Sequence, residues 1–216
     1  MKNYKTIFFD LDGTLIESGP GIVFAIREMM KDLGLPDMQE NELSKFVGPP
    51  LMTGFSELLG LSGSALNEAI ALYRKKYDEL GLNVTSAYKG IPELLCELKS
   101  RGKKLGVVTS KIQPTAEAHL KRFGLWQYID YLRGGDPQGI GEKEYLLKLA
   151  VSDMLSKDRE PAVMVGDRLF DLNAAHVAGM DCIGVLYGYG TSEEIEACKP
   201  TYVARSVEEL AKLLLT

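Results

Sequence analysis

The sequence predicts an α/β fold: a three-layer core on a parallel sheet, with a small all-helical domain inserted after the first strand. Three observations carry this. Short apolar runs, Ile7–Phe9, Leu105–Val108 and Ala162–Val165, are bounded by polar residues and glycines. From Tyr88 onward such runs alternate with stretches of helical spacing. Between Gly19 and about Val84 the only periodicity is helical. Strand–helix alternation argues a parallel sheet covered on both faces. Right-handed crossovers then bring every strand's carboxyl end to one edge.

In order, Ile7–Phe9, led by Thr6, suits a strand buried on both faces. Glu17-Ser18-Gly19-Pro20-Gly21 follows as a breaker cluster and a hinge. Ile22, Ile26, Met29, Met30 and Leu33 recur at helical spacing up to Gly34. Leu51, Phe55, Leu58 and Leu59 mark a second helix, and Leu66, Ile70, Tyr73, Tyr77 and Leu80 a third, stopping at Gly81. Between them Phe46-Val47-Gly48-Pro49-Pro50 reads as a stiff loop. The core domain is thus expected at 1–17 and 85–216, and the helical domain at 18–84. Pro92 and Pro114 each open a helix, ended by Gly102 and Gly124. Ile129 to Leu132 is a short strand candidate, and Gly134 to Gly141 a glycine-rich loop leading to a helix from Lys143 through Met154. A helix from Asp171 to Ala178, a strand from Cys182 to Leu186 and a last strand at Thr201-Tyr202-Val203 follow. Ser206 and Glu209 form a capping box for the final helix.

A net charge of -5 gives no sign of a nucleic-acid or anionic-membrane surface, so a phosphate site would need locally placed cations. Cys96, Cys182 and Cys198 are odd in number and far apart, which fits neither a disulfide framework nor a zinc spacing. Cys96 and Cys182 read as small core residues. No apolar run approaches a spanning length, and the N-terminus runs straight into a strand. A soluble, cytoplasmic protein is the expectation; oligomeric state stays open.

The chemistry lies at the strand ends. Asp10 and Asp12 follow the first strand, Thr109 and Ser110 the second, and Asp167 a third. Open α/β sheets bind ligands at that rim, although Asp-x-Asp-Gly also suits a plain polar turn. Aspartates gathered there repel unless neutralised, and a hard divalent cation, magnesium beside phosphate, is the economical answer. A carboxylate can accept a phosphoryl group as an aspartyl-phosphate, provided a metal and a lysine offset the charge. Lys143, opening a helix after the glycine loop, is the candidate lysine. Thr109 and Ser110 offer donors to phosphate oxygens at the start of a helical segment. Asp12 could protonate the leaving oxygen and later deprotonate water, which calls for a raised pKa.

Asp10-Leu11-Asp12-Gly13-Thr14, Thr109-Ser110-Lys111, Lys143, and Gly166-Asp167 with Asp171 resemble the four motifs of the haloacid dehalogenase-like hydrolase superfamily, in order and across almost the whole chain. The helical insert is similar to the cap of its phosphoglycolate phosphatase-like branch. Val47-Gly48-Pro49-Pro50-Leu51 and Gly166-Asp167-Arg168 resemble a bacterial 5'-nucleotidase-like subgroup. The resemblance implies a Rossmann-like core and roles residue by residue. Asp10 would be the nucleophile and a magnesium ligand. Asp12 would be the general acid/base, its backbone carbonyl binding magnesium. Asp167 would bind the metal directly and Asp171 support it. Thr109, Ser110 and Lys143 would hold the phosphoryl group, with backbone help near Leu11. The cap would close over the site and read the leaving group.

The implied activity is magnesium-dependent hydrolysis of a small phosphate ester, phosphoglycolate or a nucleoside monophosphate among the choices. A phosphomutase of the same fold is the alternative, disfavoured by a cap without histidine, and a non-catalytic ligand-binding protein is another. Glu17, Glu144 and Arg168 stand where relatives have Asp, Pro and Thr or Ser, which weakens a specific claim for phosphoglycolate. Blander readings stand beside these. Lys143 suits a helix surface, Asp171 a first-turn acid, and His119 and His176 read as structural. Lys45, Phe46 and Met52 suit packing or solvation, Met29, Met30, Tyr73 and Tyr77 cap core, and Arg168 is left undecided.

Overall fold

A computed structural model describes residues 2–49, 51–136, 142–155 and 160–216. In chain order the elements are β1 (Thr6–Phe9), β2 (Ile16–Glu17), α1 (Gly19–Asp32), α2 (Glu40–Leu43), α3 (Leu51–Leu59), α4 (Gly63–Glu79), β3 (Ser86–Ala87), α5 (Ile91–Ser100) and β4 (Lys104–Ile112). There follow α6 (Gln113–Arg122), β5 (Tyr131–Gly135), α7 (Lys143–Met154), β6 (Ala162–Gly166), α8 (Leu169–Val177), β7 (Asp181–Val185), α9 (Ser192–Ala197), β8 (Tyr202–Ala204) and α10 (Val207–Leu215). Two compact units emerge, Met1–Ile16 with Ala87–Thr216, and Glu17–Ser86. The two chain crossings lie in β2 and β3, which pair as a two-stranded sheet.

The larger unit holds a six-stranded sheet in the order β5-β4-β1-β6-β7-β8, with parallel pairing throughout. Strand β1 is central: Phe9 registers with Val107 on one side and Val165 on the other. The period of two in a strand sends alternate side chains to opposite faces. Ile7 and Phe9 pack with Leu94, Leu95 and Leu98 of α5 and Leu210 of α10. Phe8 and Met164 pack with Leu146 and Leu147 of α7 and Leu172 and Ala175 of α8. These two apolar layers make the three-layer α/β core and hold the end of β1 rigidly in place.

In the smaller unit Phe55 is fully buried, edge-on to Phe46 at 5.7 Å and to Tyr73 at 5.6 Å. Met29, Met30, Tyr73 and Tyr77 are all buried there. Gly21 and Gly81 let α1 cross the turn after α4 closely: a Cβ on Gly21 would lie 2.4 Å from the Gly81 carbonyl oxygen.

Several expectations need correction. Gly19-Pro20-Gly21 is not a breaker loop but the first turn of α1, where proline costs no hydrogen bond. Strand β4 runs on to Ile112, so Thr109 and Ser110 lie within a strand rather than start a helix; α6 begins at Gln113. Strand β5 is Tyr131–Gly135, shifted toward the rim. Cys96 is exposed, because the buried face of α5 is Ile91, Leu94, Leu95 and Leu98. Ser206 caps the Glu209 amide at 3.2 Å, but the Glu209 carboxylate accepts from Arg205 instead of closing the box. Pro50 and residues 137–141, within the expected glycine-rich loop, lie outside the described residues. Among the described residues no helix is long and apolar enough to cross a membrane.

Candidate active site

Asp10 is the first residue past β1, and its amide still donates to Val165 O at 2.9 Å. The chain then turns sharply: the Gly13 amide donates to Ile16 O at 2.8 Å, and the Leu15 and Ile16 amides to Leu11 O at 2.9 Å. Gly13 is required twice over. Its φ is +83°, and a Cβ there would sit 2.2 Å from Asp167 Oδ2. The turn thus packs against the carboxylate that ends β6.

Lys143, at the start of α7, is 7% exposed, which excludes the surface-lysine reading. Its ammonium donates to Asp10 Oδ1 at 2.6 Å and Val108 O at 3.1 Å, and pairs with Asp171 Oδ1 at 2.8 Å. Two of its protons are donated in hydrogen bonds, and the contact with Asp171 is an ion pair. Burial disfavours its charge, yet Asp10 and Asp171 outweigh burial and hold its pKa above the ordinary value.

Asp167 is fully buried. Thr14 donates to its Oδ1 at 3.1 Å and the Tyr189 amide to its Oδ2 at 2.8 Å. Asp171, in the first turn of α8, accepts from the Arg168 amide at 3.1 Å as well as pairing with Lys143, so it is both a helix-start acid and part of the site. Oxygens of Asp10, Asp167 and Asp171 lie within 4.8 Å of one another. Burial pushes the Asp10 carboxyl up to about 7, with the charges of Asp171 and Asp12 adding to burial and Lys143 pulling it back. Burial, then Asp10 and Asp171, also holds Asp167 well above the usual carboxylate range.

The carboxylate of Asp12 turns the other way, accepting from Lys111 Nζ at 2.9 Å. With Asp10, Asp12, Asp167 and Asp171 all ionised, two ammonium groups leave two negative charges to balance. All the donors are oxygens. This donor set suits a hard divalent cation better than a soft one.

Thr109 is buried toward the end of β4, and its hydroxyl accepts from the Lys111 amide at 3.2 Å, keeping its own proton to donate. Ser110 beside it is half-buried. Arg168 turns toward α9, where Glu194 Oε1 accepts from its Nε and from the Leu169 amide, both at 2.8 Å. His176 is exposed, its ring 2.8 Å from Cys198 O. In the smaller unit Phe46 is packed, Met52 exposed, and Lys45 exposed.

Sequence reasoning passed over three contributors. Lys111 lies on the rim that picked out Thr109, two residues further on. Thr14 belongs to the turn already singled out. The segment Tyr187-Gly188-Tyr189-Gly190 follows β7, another strand end, and its two glycines were the available signal. A Cβ on Gly188 would lie 2.4 Å from Asp167 Cβ, and Tyr187 donates its hydroxyl to Thr14 O at 3.0 Å.

The sequence profile of the family described as "Haloacid dehalogenase-like hydrolase" matches residues 7–185. "Tyrosine-protein kinase PtkA" of Mycobacterium tuberculosis is 36% identical over 213 residues, covering 97% of this chain and 72% of the relative. "5'-nucleotidase" of Pseudomonas aeruginosa is 33% identical over 211 residues, covering 98% and 96%. A crystal structure of a "predicted phosphatase" from Clostridium acetobutylicum superposes with a TM-score of 0.90 at 33% identity, covering 99% of each chain.

Proposed function

The chain belongs to the haloacid dehalogenase-like hydrolases and is a phosphatase of that family, and from that premise we propose that it is a magnesium-dependent phosphomonoesterase of small cytoplasmic metabolites working through phospho-Asp10. The observation that carries this reading is the pairing of Asp10 with the buried Lys143, beside Asp167 and Asp171. A nucleophilic carboxylate needs its charge held and its direction fixed, and this pairing supplies both.

In the first step an Asp10 oxygen attacks phosphorus, the ester P–O bond breaks, and Asp12 gives its proton to the leaving oxygen. In the second, Asp12 takes a proton from water, whose oxygen attacks the phosphorus of phospho-Asp10, releasing phosphate and restoring the carboxylate. Lys143, Thr109 and Ser110 hold the phosphoryl oxygens. Asp10, Asp167 and the backbone carbonyl of Asp12, with Asp171 in support, would hold magnesium, which would supply charge neutralisation during phosphoryl transfer. Domain roles follow from the same reading: the core, 1–17 and 85–216, is catalytic and the helical domain, 18–84, is a cap that selects the leaving group. A nucleoside monophosphate is the substrate class we favour over phosphoglycolate. The likeness to a 5'-nucleotidase and the substitutions at Glu144 and Arg168 support that choice.

The test is a phosphate-release screen with magnesium across nucleoside monophosphates, phosphoglycolate, sugar phosphates and pyrophosphate, with Asp10→Asn as control. ATP with a tyrosine peptide is included because of the likeness to a protein named as a tyrosine kinase. Release that is silent in the control supports the reading. No release from any ester sinks it, and phosphopeptide formation redirects it to a tyrosine acceptor.

A further inference from the structure

Lys111 and His119 stand behind Asp12, and the chemistry above uses neither. Lys111 leaves the end of β4, its side chain 12% exposed, and reaches Asp12 Oδ1 at 2.9 Å. On its other side the same ammonium lies 3.3 Å from His119 Nδ1. His119 sits on the inner face of α6 with Ala116 and Leu120, 1% exposed. A buried imidazole beside an ammonium gains by staying neutral and offering a lone pair. Burial first, then the Lys111 charge, lowers the His119 pKa to about 3. The Nδ1 nitrogen therefore accepts, and the ring carries its proton on Nε2.

The geometry points to Lys111 as a positioning residue for Asp12, with His119 as the fixed acceptor that holds the Lys111 ammonium in place. A charge-assisted hydrogen bond to one oxygen fixes the plane of the carboxyl group. The ammonium is itself on a flexible stem, and a donor is as well aimed as its second anchor allows. The neutral His119 ring, locked in the core by α6, is that anchor. Lys143 serves the nucleophile and Lys111 the acid/base, so the two lysines of the site divide the work between its two working aspartates.

This inference rests on the roles given above to Asp10 and Asp12. Its test separates the two proton transfers of Asp12 from the attack by Asp10. The probes are p-nitrophenyl phosphate, whose leaving group departs without help from an acid, and β-glycerophosphate, whose alkoxide needs a proton. Lys111→Met is compared with the unaltered protein in magnesium, in the steady state and in a rapid burst measurement. We expect the nitrophenolate burst, close to one equivalent per protein, to keep its rate within about threefold. Steady turnover of β-glycerophosphate should fall about 100-fold with KM nearly unchanged, the lower range of what a positioned acid–base group contributes. His119→Leu should show the same split at about tenfold, and it carries the comparison if Lys111→Met does not fold. Equal loss in burst and turnover would reduce Lys111 to a structural role. A raised KM with kcat unchanged would make it a substrate-binding residue. Either result overturns the assignment. A burst that survives Asp10→Asn would instead defeat the phospho-aspartate reading itself.

Discussion

Lys143 and Asp10 stand 133 positions apart in the chain, and the ammonium of one lies 2.6 Å from the carboxylate of the other. With side chains 5% and 11% exposed, neither can exchange its partner for water. Lys143→Met should therefore cost about 3–5 kcal/mol of stability, the range for breaking a buried pair by removing one member. Urea unfolding at alkaline pH measures it. The loss should shrink toward neutral pH and below, because the stranded Asp10, already raised to about 7 beside Lys143, escapes by protonation. A variant as stable as the parent at all pH values would contradict the pairing.

Asp10→Asn should leave the unfolding midpoint within a few degrees and reduce phosphate release to background. An amide cannot give the acyl-phosphate, yet it fits the same space and still accepts from Lys143. Asp12→Asn should behave differently. It keeps the nucleophile but can neither give nor take the proton, so a phosphorylated protein should accumulate, visible as an added mass on rapid acid quench.

The raised pKa values of Asp10, about 7, and Asp167 tie stability to pH. An acid whose folded pKa exceeds its unfolded one keeps a proton that the unfolded chain has released. Between about 4, where free Asp titrates, and about 7, these two groups therefore make metal-free stability fall as pH rises. Magnesium, needing ionised carboxylates, should raise the thermal midpoint most at the upper end of that window. Asp167→Asn should flatten the fall and remove most of the magnesium response. Equal pH slopes and equal magnesium shifts in parent and variant would rule the carboxylate cluster out as their source.

Gly13→Ala tests the packing of the first turn on the end of β6. A methyl group there meets Asp167 Oδ2 at 2.2 Å, on a backbone at φ +83°. The strain alone is worth about 1–3 kcal/mol. Moving Asp167 should cost phosphate release well beyond what the lost stability explains. Calorimetry and a magnesium titration of turnover, run side by side, check it.

The parts of the site that were legible in the sequence are those that strand ends mark. Ile7–Phe9, Leu105–Val108 and Ala162–Val165 are apolar enough to be strands, so the polar residues after them, Asp10, Thr109 and Asp167, had to meet at one rim. What stayed hidden depends on side-chain reach and on one backbone amide. Nothing in the spacing of Lys111 and His119 says that one ammonium bridges His119 and Asp12. Tyr189 serves through its N–H, which every residue but proline possesses. Arg168 could not be decided because its partner, Glu194, lies 26 positions away on a six-residue helix that was not expected. The breaker reading failed at Gly19–Gly21 because Pro20 and its flanking glycines break most structures but open a helix at its first turn.

The central place of β1 has a consequence during synthesis. Its two neighbours, β4 and β6, are made long after it, with Phe9 registering on Val107 and then on Val165. At a translation rate of about 5–20 residues per second, the wait for the second neighbour is about 8–30 s. Until β4 follows, about 5–20 s later, Ile7, Phe8 and Phe9 have no strand partner on the nascent chain, and one edge of β1 stays open until β6 arrives. The helices of Glu17–Ser86, whose contacts are local, emerge next and can fold first. Among the described strands, the one that leads into Asp10 thus waits longest for its second neighbour.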